Sequence, residues 1–252
     1  MDKLPPEIYD RIIMFVDRFV IKEISMSPSE PRRRDIALNY PSIATVSRKF
    51  QASVESETFR SLFIQATESG LDQFERILTP RRRTLLHFLH VDPEIMSYYS
   101  RLHINYAIDA HSRDEAVTRS LRRLFSILAA TNNGDSHRMP KLDLQIYSLD
   151  RSSSIPYQRL MQGQFFLINL ASDATDFPSL PCVHRFSFRS TPNLWNPRVA
   201  SLLTAKMVNA TSVNWELIRF EGDSFLLGQL YRNELVDSVE STPLPASVAE
   251  FS

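Results

Sequence analysis

The sequence predicts a mixed α+β to α/β fold: an N-terminal helical module, then an irregular βα region with parallel strands. Three observations carry this. Apolar residues recur at helical spacing over residues 8–19 and again over 43–54. From Thr58 onward, strand-like and helix-like stretches alternate. Only five glycines occur, against 15 prolines, and no glycine-rich phosphate loop is present.

The first helix is expected from about Pro6 to Ile21. Pro5 and Pro6 sit at its start, where an N–H has no intrahelical partner to lose. Ile8, Ile12, Ile13, Phe15, Val16 and Phe19 form its stripe, and Glu7 and Asp10 suit the helix dipole. Lys22 to Asp35 reads as a long solvated loop, with two prolines and three consecutive arginines. Helical patterning resumes at Pro41, with Ile43, Val46, Phe50 and Val54 on one face.

Strands are then expected to begin near Thr58, Thr84, Leu142, Val183 and Val213. Between and after them lie helical stretches. Glu68 to Leu78 carries Leu71, Phe74, Ile77 and Leu78. About Arg113 to Ala130 carries Val117, Leu121, Leu124, Phe125 and Leu128. Pro197 to Asn209 carries Val199, Leu202, Leu203 and Met207, and Ser224 to Asp237 forms a last helix. Such alternation gives parallel strands with helices against them, either as a doubly wound sheet or as an open βα solenoid. The first strand exits through Ala66-Thr67-Glu68-Ser69, without the glycines of a functional turn. That favours the solenoid. The strand spacing is uneven, so the repeat is irregular. Residues 93–112 and 150–181 are expected to project as loops. The division expected is 1–57 helical, 58–240 βα and 241–252 a flexible tail.

Composition excludes several functions. The 29 basic and 29 acidic residues balance, which argues against a general nucleic-acid binder. The single cysteine, Cys182, permits no internal disulfide or cysteine metal cluster. It reads as a small buried apolar residue in a reducing compartment, cytoplasmic or nuclear. The N-terminus lacks the pattern of a signal peptide. No window approaches the roughly 18 apolar residues of a membrane span. Asn209-Ala-Thr211 matches a glycosylation sequon that is expected to be idle without a secretory route.

Other constellations have bland readings. His87 and His90 lie three apart, which on a strand puts them on opposite sides; a metal site would need a helix there. No metal site or cofactor is expected. Arg32-Arg33-Arg34 and Arg81-Arg82-Arg83 read as solvated loop charge. No nucleophile motif is legible, and the chain is expected not to be an enzyme. Trp195, after a Ser-Thr-Pro-Asn turn, is a candidate substrate contact with core packing as the alternative. Trp215 alternates with Leu217 and reads as core.

Two fragments resemble a known family. Leu4-Pro5, Glu7-Ile8 and Ile12-Ile13, followed by Val46-Ser47-Arg48-Lys49-Phe50, look like the two ends of an F-box. Phe50 stands where the family usually has tryptophan, and Lys22 to Asn39 exceeds the family's short connection. Ala44 to Glu55, then Thr58-Phe59 and Phe74-Glu75-Arg76-Ile77, resemble fungal F-box proteins in particular. The resemblance implies a helix-in-groove contact with a Skp1-like adaptor. Its contact residues would be Leu4, Pro5, Ile8, Ile12, Ala44, Val46, Ser47, Phe50 and Val54, although several, notably Ile12 and Phe50, also fit the module's own core. It further implies a leucine-rich-repeat-like βα region that receives a protein substrate for an SCF ubiquitin ligase, without nucleic acid or membrane as partner. The alternative is an interaction scaffold whose helical start only caps the solenoid.

Overall fold

The computed structural model describes residues 48–93, 106–130, 140–147, 168–171, 176–189, 195–217, 225–242 and 244–251. The chain divides into two compact units, Met1–Ser61 and Leu62–Ser252. In the first, helix α1 (Arg48–Arg60) is described. It runs past Thr58, where the sequence suggested a strand, because each further helical residue adds a backbone hydrogen bond to a helix already nucleated. The expected boundary after residue 57 would cut its last turn. The first helix expected, Pro6 to Ile21, and the loop after it lie outside the described residues.

The second unit is built on a six-stranded sheet: β1 (Ser61–Gln65), β2 (Phe88–Asp92), β3 (Leu142–Tyr147), β4 (Val183–Arg189), β5 (Ser212–Glu216) and β6 (Glu250–Phe251). Spatial order equals chain order, and β2 to β6 pair in parallel. The order never reverses, so the sheet is not doubly wound. Crossovers of one hand that always step to the next strand place their helices on one face, and the described helices α2, α4 and α5 share one core with the sheet.

Four of the five connections hold a described helix. Helices α2 (Glu68–Ile77) and the short α3 (Pro80–Arg83) link β1 to β2, and α4 (Tyr106–Ala130) links β2 to β3. Helix α5 (Pro197–Ala205) links β4 to β5, and α6 (Phe225–Ser241) links β5 to β6. Between β3 and β4, Ile168 instead makes a parallel bridge to Trp195 in the next connection.

Local chemistry explains the helix starts. Thr67 Oγ1 accepts the Gly70 N–H of α2 at 2.9 Å. Asn196 Oδ1 accepts the Arg198 N–H of α5 at 2.8 Å, with Pro197 in the first turn. The arginine triplet 81–83 is not loop. It forms α3, and Arg83 Nε donates to the Leu78 carbonyl just beyond α2 at 3.0 Å. A lone carbonyl there favours a cation.

The core lies between the sheet and the helices. Leu89, Leu144, Phe186 and Val213 stand in register across four strands; Val91, Ile146, Phe188 and Trp215 form the next row. All eight are buried, and they meet Leu71 and Phe74 of α2, Leu121, Leu124, Phe125 and Leu128 of α4, and Val199 and Leu203 of α5 in one cluster. The predicted stripes of α2 and α4 therefore do face the core. Thr204 Oγ1 accepts the Trp215 indole N–H at 3.1 Å, so the polar end of that ring is satisfied.

Neighbouring connections also bond to one another where they enter the strands. The Leu180 N–H donates to the Lys206 carbonyl at 2.7 Å, and Asn209 Nδ2 donates to the Pro181 carbonyl at 2.9 Å. One step further along the sheet, Ser247 Oγ donates to the carbonyls of Val208 and Ala210 at 3.0 and 2.8 Å. The turns before β4, β5 and β6 are thus stacked like the strands they feed. Residues 244–251 were expected in a flexible tail; they form this last turn and β6 instead, because the Thr211 carbonyl accepts the N–H groups of Ala249 and Glu250. Helix α4 begins at Tyr106, inside a segment expected as loop, and α5 ends at Ala205 rather than Asn209.

Candidate functional site

Residues that alternate with the buried ones point to the face away from the core; β4 skips a step between Val183 and Phe186 at a register shift, and Asp92 at the end of β2 is buried as well. On β3 the alternation is complete, with Leu142, Leu144 and Ile146 buried and Asp143, Gln145 and Tyr147 half-buried. Register then arranges the opposite face in rows. Phe88, Asp143, Arg185 and Ser212 form one; His90, Gln145, Ser187 and Asn214 form the next; Tyr147, Arg189 and Glu216 form a third. On β1, Ile64 faces the core, so Phe63 and Gln65 belong to this open face.

Phe63, Phe88 and Tyr147 make part of the open face aromatic; the rest is polar, with its charges paired across strands. Arg185 lies 3.8 Å from Asp143 across β3 and β4, and Arg189 Nε donates to Glu216 across β4 and β5. His90 meets the Tyr147 ring edge-on, with centroids 6.0 Å apart. Burial raises the Asp143 carboxyl above its ordinary range, although Arg185, His184 and His87 pull the other way. The His184 imidazole is pushed down, by burial first and then by Lys141, with Asp143 pulling the other way.

A separate cavity of about 210 Å³ opens at the end of β1, between α2 and α4. Its floor is apolar, with Ala66, Leu71, Pro93 and Val117, and its rim carries Arg119, Arg123 and Glu68. Arg123 is committed. It binds Asp72 and Glu75 of α2, which raise its pKa. With Glu68 beside them, these acids outnumber the two rim arginines, so the cavity is not an anion pocket.

Among the described residues, no group of three His, Cys, Asp or Glu side chains is placed to hold a metal ion. His87 Nδ1 bonds the Leu85 carbonyl at 2.8 Å, just ahead of β2, while His90 sits on the open face. Cys182 is buried, and burial raises its thiol pKa to about 11. A neutral thiol at pH 8 is a poor nucleophile. A thiol-reactive disulfide reagent is therefore expected to leave native protein unlabelled at pH 8 and to label one thiol after denaturation. Because the folded pKa lies above the ordinary value of 9.0, the unfolded thiol ionises first. Stability is unaffected below pH 9 and falls between pH 9 and 11, by at most about 1.4 kcal/mol per pH unit. Comparing Cys182→Ala with the parent in alkaline melts checks this.

The residues expected to contact an adaptor are placed as follows. Leu4, Pro5, Ile8, Ile12, Ala44, Val46 and Ser47 lie outside the described residues. Phe50 belongs to α1, with its side chain outside the description, and Val54 on the same helix is buried. Trp195, read as a candidate substrate contact, is wholly buried and stacks edge-on with Phe188 at 5.3 Å. Its polar neighbours in sequence gave no sign of this. The bridge to Ile168 pulls it in. The open-face rows were not singled out from sequence. Their signal was the polar half of each strand's alternation, unreadable as rows until register was known.

Fold and site together define a parallel α/β protein whose sheet is covered on one face and presents ordered polar rows on the other. No helix of the described residues is long and apolar enough to cross a membrane. No family model, curated protein or solved structure matches the chain.

Proposed function

We propose that the chain is a non-catalytic substrate receptor of an SCF-type ubiquitin ligase. Its N-terminal helices dock a Skp1-like adaptor, and the open sheet face receives a protein substrate. The observation that carries this reading is the pair of F-box-like fragments, Leu4 to Ile8 and Val46 to Phe50, placed ahead of the α/β unit. Support comes from the sheet. A parallel sheet in unbroken chain order, with stacked entry turns, fits a leucine-rich-repeat-like solenoid. Such a surface acts by proximity, raising the effective concentration of a bound substrate beside a transferring enzyme.

The test is co-expression of the full chain with a Skp1 adaptor. Affinity capture is expected to give a stable complex. Replacing Leu4, Pro5 and Ile8 together with alanine is expected to abolish it while the Leu62–Ser252 unit still melts at the parent temperature. If the intact chain captures no Skp1, or if the triple variant binds as well as the parent, the ligase reading is lost.

A further inference from the structure

The open face is not uniform from edge to edge. On the β1 side it is aromatic. Phe63 is 43 % exposed, and its ring is open to a partner. Phe88 on β2 and Tyr147 on β3 are half-buried, and His90 lies edge-on to Tyr147. On the β4 side the outermost charge is the Arg185 guanidinium, which stands out well beyond Asp143. Arg185 and Arg189 are four residues apart on β4 and project from the same face as Ser187 between them. The Arg185 side chain is 69 % exposed and approaches Asp143 only at 3.8 Å. The Arg189–Glu216 pair is about half exposed on both partners. Ion pairs this accessible contribute little, so an incoming carboxylate can take over a guanidinium without large loss.

We propose that this face docks an extended segment of a partner protein that carries an apolar side chain and, about four residues away, a carboxylate. The apolar group packs on Phe63 and Phe88, and the carboxylate pairs with Arg185, the more exposed of the two arginines. The spacing follows from geometry. From β1 to β4 is three strand intervals of about 4.8 Å, roughly 14 Å, which an extended chain covers in about four residues at about 3.3 Å each. A guanidinium favours a carboxylate because it offers two parallel N–H donors. Nucleic acid fits worse: its backbone carries a charge at every nucleotide and would also meet Asp143, Glu216 and Glu250, whereas one carboxylate needs only the Arg185 guanidinium. The proposal rests on reading the open face as the substrate surface.

The experiment uses the full chain, with Skp1 where the complex forms, and four fluorescent decapeptides. They carry Phe and Glu, Phe and Lys, Ala and Glu, or Ala and Ala, each pair four residues apart in a Ser/Gly background. The Phe/Glu peptide is expected to bind at least about tenfold tighter than the others in fluorescence anisotropy. Phe63→Ala is expected to erase the advantage of Phe over Ala. The double variant Arg185→Glu/Arg189→Glu is expected to lose the Phe/Glu peptide and gain the Phe/Lys peptide. These side chains are exposed, and unchanged melting of the variants confirms folding. Equal binding of all four peptides, or loss in the double variant without recovery by Phe/Lys, overturns the proposal. Skp1 capture separates it from the ligase reading. Absent peptide selectivity with Skp1 captured defeats only the docking proposal, and selectivity without Skp1 capture defeats only the ligase reading.

Discussion

Gly70→Ala is expected to destabilise the α/β unit by about 3 kcal/mol or more, at the upper end of the overpacking range. Gly70 sits in the first turn of α2, where the chain has just left β1. An added Cβ would meet the Gln65 carbonyl oxygen at 2.1 Å and Thr67 Oγ1 at 2.9 Å. The first of these is backbone and cannot swing aside. Relief requires moving the start of α2, and with it the Thr67 cap and the buried Leu71 and Phe74. In an exposed helix Gly→Ala stabilises by up to about 1 kcal/mol, so the sign itself is diagnostic. At about 2–4 °C per kcal/mol for units of 150–250 residues, the melting temperature should fall by roughly 6–12 °C. A melt within about 2 °C of the parent would show that the turn between β1 and α2 is looser than described.

Phe186→Ala is expected to cost about 3–5 kcal/mol, the range for deleting a fully buried phenylalanine. Phe186 is 0 % exposed and lies in register between Leu144 and Val213. The strands on either side are held by their own ladders, so the site cannot collapse to fill the void. Phe63→Ala is the matched control. It removes the same side chain from the open face, where Phe63 is 43 % exposed, and should change stability by about 1 kcal/mol or less. Chemical denaturation of both variants measures the contrast. Similar midpoints would mean that the two faces of the sheet are not distinguished as described.

Much of this was legible in the sequence. Leu121, Leu124, Phe125 and Leu128 share one helical face at any tertiary arrangement, and all are buried. Leu142, Leu144 and Ile146 alternate with polar residues, and β3 follows that alternation as far as Tyr147. Trp215, read as core, is core. Other features were not legible because their causes are distant in the chain. Residues 244–251 carry no strong strand signal; their pairing is imposed by the Thr211 carbonyl and by Val208 and Ala210. Trp195 looks like an exposed loop residue until Ile168 and Phe188 are placed beside it. The arginines 81–83 look like loop charge until the carbonyls of Ile77 and Leu78 are found next to them.

Within regular elements the sequence by itself determined which residues face inward, because periodicities of 3.6 and 2 act within a single element. It also determined the alternation that makes the strands parallel, and it carries the F-box-like fragments on which the proposed function rests. Only the tertiary structure decided the strand order, and with it the choice of a sheet that never reverses over one that is doubly wound. Only register decided that Arg185 lies beside Asp143, and Arg189 beside Glu216, on one open face. These neighbours are some 27 to 42 residues apart in the chain. Their proximity depends on how whole connections pack, and no local pattern encodes that.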